Sequence, residues 1–457
     1  MKLRVLNIIT SLFITACIVT SCLGEDTVEY DFSTDASITA FSIKDSIVTY
    51  YPATTANGKD TTLSFGVLGS DYPFVINHNE GLIYNQDSLP IGTDVSKVVV
   101  NITADTYGIY IAAEKDSLWS ETDSLNFNNP IHFKILSEYG TFGRTYTVKI
   151  NVHQQDPDLM TWQKMPCNLD SSIKKQKTVY MNGHIYVFAE ATEQVTVTST
   201  PTSGIKEWTP LSSIDIPSKA DYSSVMVWGN KFYILADNEL FTSENGINWS
   251  KVEMSQGITK LMANIHTEHT QKIIGVDEEG HYIESENGIN WTKHELLPEG
   301  LSSTHTTFVS YPLVTNPKIS RVVLMGDNQT KTDTTLVVWT QLDSETRWTE
   351  LYPTEDNKAC PKLETPNIIH YNDCLYALGG IPTTDSFSQL YESTDNGITW
   401  HNSDKKLSLP EEFNALYKQS KGNYSIAIDE HQFIWLTWGS TGEVWRGRIN
   451  KLGFEKQ

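Results

Sequence analysis

Between Ile38 and His153 apolar and polar residues alternate in short runs: ITAFSI, IVTYY, LSFGV, VSKVVVNIT, IHFKIL and RTYTVKINV. A period of two turns one face of each run toward a core and leaves the other in water, which is the pattern of strands. Turn-forming residues separate the runs (Asn57-Gly58, Pro90, Asn128-Asn129-Pro130), and no stretch of this region has helical periodicity. Residues 38–155 therefore predict an all-β sandwich of immunoglobulin-like size. The polar segment Gln154 to Asp158 reads as a short linker.

Beyond the linker the chain repeats itself. FTSENGINW (Phe241 to Trp249) recurs as IESENGINW (Ile283 to Trp291) and as ESTDNGITW (Glu392 to Trp400). Asn-Gly supplies the positive φ of a tight hairpin, and the tryptophan three residues after the glycine anchors the strand that the turn opens. Tryptophans stand at positions 162, 208, 249, 291, 348 and 400, with gaps of 46, 41, 42, 57 and 52 residues. The sequence between them is strand-like, so these gaps fit four-stranded propeller blades better than a helical solenoid. Three inner hairpins are legible: VYMNGHIYVFA, VMVWGNKFYILA and IIHYNDCLYALGG.

Strand three of the last blade is expected at Glu443 to Arg448, and no tryptophan-marked strand follows it. Trp162, in LMTWQKMP, has no blade of its own. The economical solution is that the Trp162 strand closes the last blade, which removes exposed sheet edges. Residues 156–457 are then a six-bladed propeller.

These motifs carry resemblances. The inner hairpins resemble kelch repeats, although only Gly379-Gly380 keeps the glycine pair. Ser393, Asp395, Gly397, Thr399 and Trp400 resemble the Asp-box of sialidases, and Glu244 and Glu286 are expected to stand for the aspartate in the other two copies. With the phrase from Gly81 to Thr93, the chain resembles a Bacteroidetes lipoprotein family known as domain of unknown function 6242. That resemblance implies an immunoglobulin-like N-terminal module followed by the propeller.

Charge and the first residues set the address. With 34 basic against 56 acidic residues the net charge is −22, which argues against nucleic acid or an anionic membrane surface as partner. Lys2 and Arg4 precede an apolar run, Leu6 to Val19, that is too short to span a bilayer. Val19-Thr20-Ser21-Cys22 looks like a bacterial lipobox, so residues 1–22 read as a signal peptide ending at a lipidated Cys22, and residues 23–37 as a polar tether. The expectation is an outer-membrane lipoprotein of the cell envelope, held to the membrane by lipid and facing a glycan or an envelope protein. Cys167, Cys360 and Cys374 remain in the folded part. Their odd number and spacing support neither a disulfide framework nor a zinc site; at most Cys360 and Cys374 pair, and buried thiols fit better.

Catalytic chemistry is thin. Asp-box residues bond the N–H groups of their own turn, which accounts for them without a ligand. Sialidase chemistry needs clustered arginines and a tyrosine nucleophile with an acid partner; after residue 156 the only arginines are Arg321, Arg347, Arg446 and Arg448. No HExxH, Gly-x-Ser-x-Gly or phosphate loop appears, so neither a metal nor a cofactor is expected. The expected role is non-catalytic binding, with a glycan-active hydrolase or a structural envelope component as alternatives. Trp438-Gly-Ser-Thr-Gly442 reads as a loop whose tryptophan either meets a sugar ring or partner or folds onto its own blade. Long connections gather on the rim opposite the Asn-Gly turns, which places ligand contacts near Trp438, Asp327 and Asp385. Asp-Ser/Thr triplets cluster before the propeller and resemble the O-glycosylation acceptors of Bacteroidetes exported proteins, making Ser46, Ser88, Ser117 and Ser124 candidate modification sites.

Overall fold

A computed structural model describes residues 36–54, 60–167, 169–203, 208–267, 269–298, 300–301, 306–327 and 334–453. It divides between Gln154 and Gln155 into two compact units. The alternating runs of the first unit form the strands they predict. Ile38–Ile43 pairs with Val98–Ala104, and Ile131–Leu136 pairs with Phe142–Lys149 and Gly108–Ile111. Their inward faces, including Ile38, Ile83, Val100, Phe133, Ile135, Tyr146 and Val148, make one apolar core. A hairpin that the alternation did not announce, Phe74–Asn77 with Leu82–Asn85, joins the edge of this sheet, and its second strand runs parallel to Phe142–Lys149. Gly81, at φ +63, makes that turn. Ser46–Thr54 and Asp60–Leu68 form a separate two-stranded sheet.

The second unit contains six four-stranded antiparallel sheets. In chain order the first five span Lys175 to Ser213, Ala220 to Lys251, Lys260 to Leu296, Thr307 to Leu351 and Glu364 to Asn402. The sixth consists of Tyr424–Ile428, Ile434–Trp438 and Glu443–Ile449, with Met160–Met165 as its outer strand. First strands of consecutive sheets lie side by side from the first sheet to the fifth, and Lys175–Met181 also lies beside Tyr424–Ile428. Between the fifth and sixth sheets the Tyr424 hydroxyl donates to the carbonyls of Thr365 and Leu378.

No single core holds this unit. Alternate residues of each strand point to opposite neighbours, so every seam between sheets has its own apolar cluster. Val322 and Leu324 face Met262, Ile274 and Tyr282 of the third sheet, while Val323 and Met325 face Ile368, Leu375 and Trp400 of the fifth. The seam between the sixth sheet and the first adds buried hydrogen bonds. The Thr178 N–H donates to Ser425 Oγ at 2.8 Å, the Thr178 and Thr437 hydroxyls meet at 2.6 Å, and Gln176 Nε2 donates to the Thr437 carbonyl at 2.9 Å.

The strand around Trp162 takes the place that the sequence assigns to it. Met160 pairs with Ile449, Trp162 with Gly447 and Met165 with Val444. The indole lies across Gly447, where a Cβ would sit 2.5 Å from the ring, and meets the Phe413 ring edge-on at 5.1 Å. Gly447 is thus the space into which the closing tryptophan fits. Gly447→Val should lower stability by about 2 kcal/mol in denaturant unfolding, the usual cost of overpacking. Trp162→Ala should relieve part of that loss in the double variant; equal losses in both backgrounds would show that the ring and position 447 do not compete for the same space.

Candidate functional site

Strands alternate in direction, so the turns joining strands one to two and three to four lie at one end of each sheet. The connections from strand two to three and from sheet to sheet lie at the other end. There, a cavity of about 590 Å³ opens among the fourth, fifth and sixth sheets. Asp327 ends the second strand of the fourth sheet, and Lys362 to Pro366 lead into the first strand of the fifth. Asp385 comes from the connection after Gly380, while Tyr417, Lys418, Lys421 and Gly422 come from a helix and its cap.

That helix, Glu412–Ser420, is the only α-helix among the described residues. Phe413, Leu416, Tyr417 and Ser420 are buried at i, i+3, i+4 and i+7, the single apolar face of a short amphipathic helix. Lys421 caps it in the left-handed region at φ 53, and Gly422 follows at φ 73. Glu411 caps the N-terminus of this helix and Glu412 opens it.

Tyr417 forms the cavity floor. Its ring stacks on Phe387 at 5.2 Å, and its hydroxyl lies 3.5 Å from both Glu364 Oε2 and Thr365 Oγ1. Burial raises the phenol pKa, the Thr365 hydroxyl opposes it, and Glu364 adds to the rise. A Cβ at Gly380 would overlap the Tyr417 hydroxyl, so the second glycine of the Gly379-Gly380 pair makes room for the floor residue. Thr365 stands at φ 47 in a bulge of its strand, a conformation that a β-branched residue rarely adopts. Its carbonyl is held there by Tyr424 Oη at 2.8 Å. Lys418 Nζ pairs with Asp385 Oδ2 at 3.0 Å.

Asp327 and Asp385, far apart in sequence, thus meet on one cavity, on the rim expected for them. Trp438 does not join them. It is the last residue of strand Ile434–Trp438, not a loop residue, and it is 0 % exposed. Its parity explains this: Ile434, Leu436 and Trp438 share the face that turns into the seam with the fifth sheet. Its ring lies 5.2 Å from Phe387 and 5.4 Å from Phe413, so it supports the floor from below and offers no surface to a ligand.

The repeated turns are built from their own side chains. Ser393 Oγ accepts from the Gly397 N–H at 2.8 Å, Asp395 Oδ1 accepts from Ile398 and Thr399, and Trp400 Nε1 donates to the Gly397 carbonyl. In the two shorter copies Asn245 and Asn287 take the place of Asp395, each accepting from the N–H groups two and three residues further on. Glu244 and Glu286, expected in that role, do not fill it, because the missing residue moves the turn's acceptor to the asparagine. Glu244 instead pairs with Lys231 on the surface.

Asp277, Glu279 and His281 bring their ligand atoms within 4.8 Å of one another, but the Lys293 ammonium already lies 2.9 Å from Asp277 and 2.5 Å from Glu279. Burial raises the Asp277 pKa. Lys293 and the N–H groups of His281 and Glu279 outweigh it and bring the carboxyl down to about 2. Cys167, Cys360 and Cys374 are free thiols. Ser46, Ser117 and Ser124 are exposed and Ser88 is half-buried, while Cys22 lies outside the described residues. Among the described residues no helix is long and apolar enough to cross a membrane.

A closed set of four-stranded sheets with a cavity at the rim of its long connections defines a β-propeller protein. The chain belongs to the DUF6242 family: residues 156–457 match the DUF6242 beta propeller domain and residues 41–150 match the N-terminal domain of unknown function. No curated protein matches it. Among solved structures it is similar to an auxiliary nutrient binding protein from Bacteroides ovatus, at 8% identity over 88% of this chain and 98% of that one, TM-score 0.42. It is also similar to a Penicillium chrysogenum alpha-L-arabinanase complexed with arabinobiose, at 10% identity over 64% and 99%, TM-score 0.42. A Bacteroides thetaiotaomicron protein of unknown function matches at 11% identity over 92% and 99%, TM-score 0.39. Likeness this distant carries no argument about chemistry.

Trp438→Ala should cost about 3–5 kcal/mol in unfolding measurements, as for other buried tryptophans. An unchanged melting temperature would mean that the ring is not the support described. Asp277 holds its proton less tightly when folded than when unfolded, so its contribution to stability is present above its ordinary pKa of 3.8 and is lost as pH falls toward about 2. The melting-temperature gap between wild type and Asp277→Asn should be widest above about pH 4 and should close toward about pH 2. A gap that stays constant over that range would refute the pairing with Lys293.

Proposed function

We propose that this chain is a non-catalytic, lipid-anchored binding protein of the cell envelope, in which an immunoglobulin-like module carries a six-bladed propeller that holds a glycan or a partner segment. The observation that carries the reading is the convergence of Asp327, Glu364, Asp385, Lys418 and Lys421 over the Tyr417 floor. An apolar floor ringed by a few charged groups is the usual make-up of a small-ligand site, and about 590 Å³ lies within the usual range of such sites. Alternating carboxylates and ammonium groups suit a ligand rich in hydroxyls, which accept from one and donate to the other. The lipobox ending at Cys22 supports the address.

Three carboxylates in one cavity favour a glycan-active hydrolase as the second reading, since such enzymes use a pair of acids flanking the scissile bond. Against it, Asp385 is tied to Lys418, and a phenol pushed above its ordinary range is a poor nucleophile. A glycan array with the mature protein, followed by product analysis of each hit, tests the choice. Retention without cleavage is expected, and Asp385→Ala should weaken it by about tenfold, or about 1.4 kcal/mol. Cleavage of a retained glycan moves the assignment to the hydrolase. Silence on the array, together with cross-links confined to the Asn-Gly rim, would leave a structural component.

A further inference from the structure

The charges on the cavity wall are not all satisfied by one another. Asp385 and Lys418 form an ion pair at 3.0 Å, and Asp327 and Lys362 have partners within the protein. Two charged groups are left. Among the described residues, Lys421 makes no side-chain hydrogen bond or ion pair, and the Glu364 carboxylate has only the Tyr417 hydroxyl, at 3.5 Å, and no ammonium within 4.0 Å. Their carriers are neighbours. Glu364 precedes Thr365, whose hydroxyl would lie 3.4 Å from a Cβ on Gly422, the residue after Lys421.

Both positions are fixed by the backbone. Glu364 opens the bulged strand opposite Gly380, and Lys421 is locked as the left-handed cap of its helix. The Tyr417 phenol stands at the Glu364 side, and Glu364 and Lys421 both line the cavity without pairing with each other. Building on the reading of this cavity as a binding site, we propose that it selects a ligand segment carrying an ammonium and an acid group together. Glu364 accepts from the ammonium, Lys421 donates to the acid, and the ligand body lies on Tyr417 and Pro366. Each contact is charge-assisted, and such bonds are about twice as strong as neutral ones. A neutral sugar would fill the same space without that gain. A purely anionic ligand would approach a chain of net charge −22 against its field and leave Glu364 unanswered.

Four monosaccharides on related pyranose rings separate the terms: muramic acid bears an amine and a carboxylate, glucosamine only the amine, glucuronic acid only the carboxylate, and glucose neither. Titrated calorimetrically or by NMR into the full mature chain, muramic acid should bind at least about tenfold more tightly than the other three, the gain expected when one further charge-assisted bond forms. Glu364→Gln should reduce muramic acid to the level of glucuronic acid, and Lys421→Met should reduce it to the level of glucosamine. Both variants should melt as the wild type does, because both side chains are exposed. Similar affinities for all four sugars, or a muramic acid advantage that survives both substitutions, would overturn the charge selection and leave sugar binding standing. Binding of none of the four would remove the binding reading of the cavity along with this inference.

Discussion

Closure of the last sheet by the first strand of the propeller is the constraint on which the rest depends. Each of the six seams is stable only if both neighbouring sheets are in place, because a single sheet cannot bury both of its faces. The pairing of Met160–Met165 with Glu443–Ile449 completes the sixth sheet, and through it the two seams that sheet makes. Phe413 then connects closure to the cavity. Its ring touches Trp162 of the closing strand at 5.1 Å, Trp438 at 5.4 Å and Trp445 at 5.4 Å, and it lies 6.4 Å from Phe387, on which Tyr417 stacks. The floor of the site therefore rests on the aromatic cluster that secures the ring.

The seam between the sixth and first sheets joins segments some 250 residues apart in sequence, so chain connectivity does little to set its alignment. Apolar contact alone would tolerate a small slide between the two sheets. The hydrogen bonds among Thr178, Ser425, Thr437 and Gln176 would not, since each buried partner left unmatched costs about 1–3 kcal/mol. Directional bonds at this seam specify how the ends meet.

Much of this plan can be read from local sequence. Asn-Gly turns, tryptophan spacing and strand-like runs are short-range features, and the structure follows them in the propeller and in most of the first unit. Trp162 was readable because the last sheet lacked a strand. What escaped depends on longer-range or finer geometry. The helix carried its own marks in PEEFNALYKQSKG: a proline before it, apolar residues at helical spacing and a glycine just past the cap. They were overshadowed by the strand pattern on both sides. Trp438 was misplaced by one residue, since the loop begins at Gly439, and in a strand one residue decides between burial and exposure. Asp327 and Asp385 were found through the rule that long connections share a rim. Glu364, Tyr417 and Lys421 were not, because only the fold brings a strand start and a helix cap together. Gly380 gave a usable hint: a glycine kept where a side chain would fit elsewhere marks a close approach.

The segment that enters the propeller also has a mechanical meaning. Before the closing strand begins, Asp156 pairs with Lys406 at 2.9 Å and its carbonyl accepts from Asn450 Nδ2 at 2.8 Å. The Lys451 N–H donates to the Pro157 carbonyl at 2.8 Å, and the Asn450 N–H donates to that of Leu159 at 3.0 Å. Tension drawn along the chain from residue 154 meets these contacts first and reaches the pairing of Met160 with Ile449 only after they part. The entry segment thus acts as a strain relief, in the way a clamp on a cable protects the joint behind it, and the strand that keeps the ring shut is the last part of the entrance to bear load.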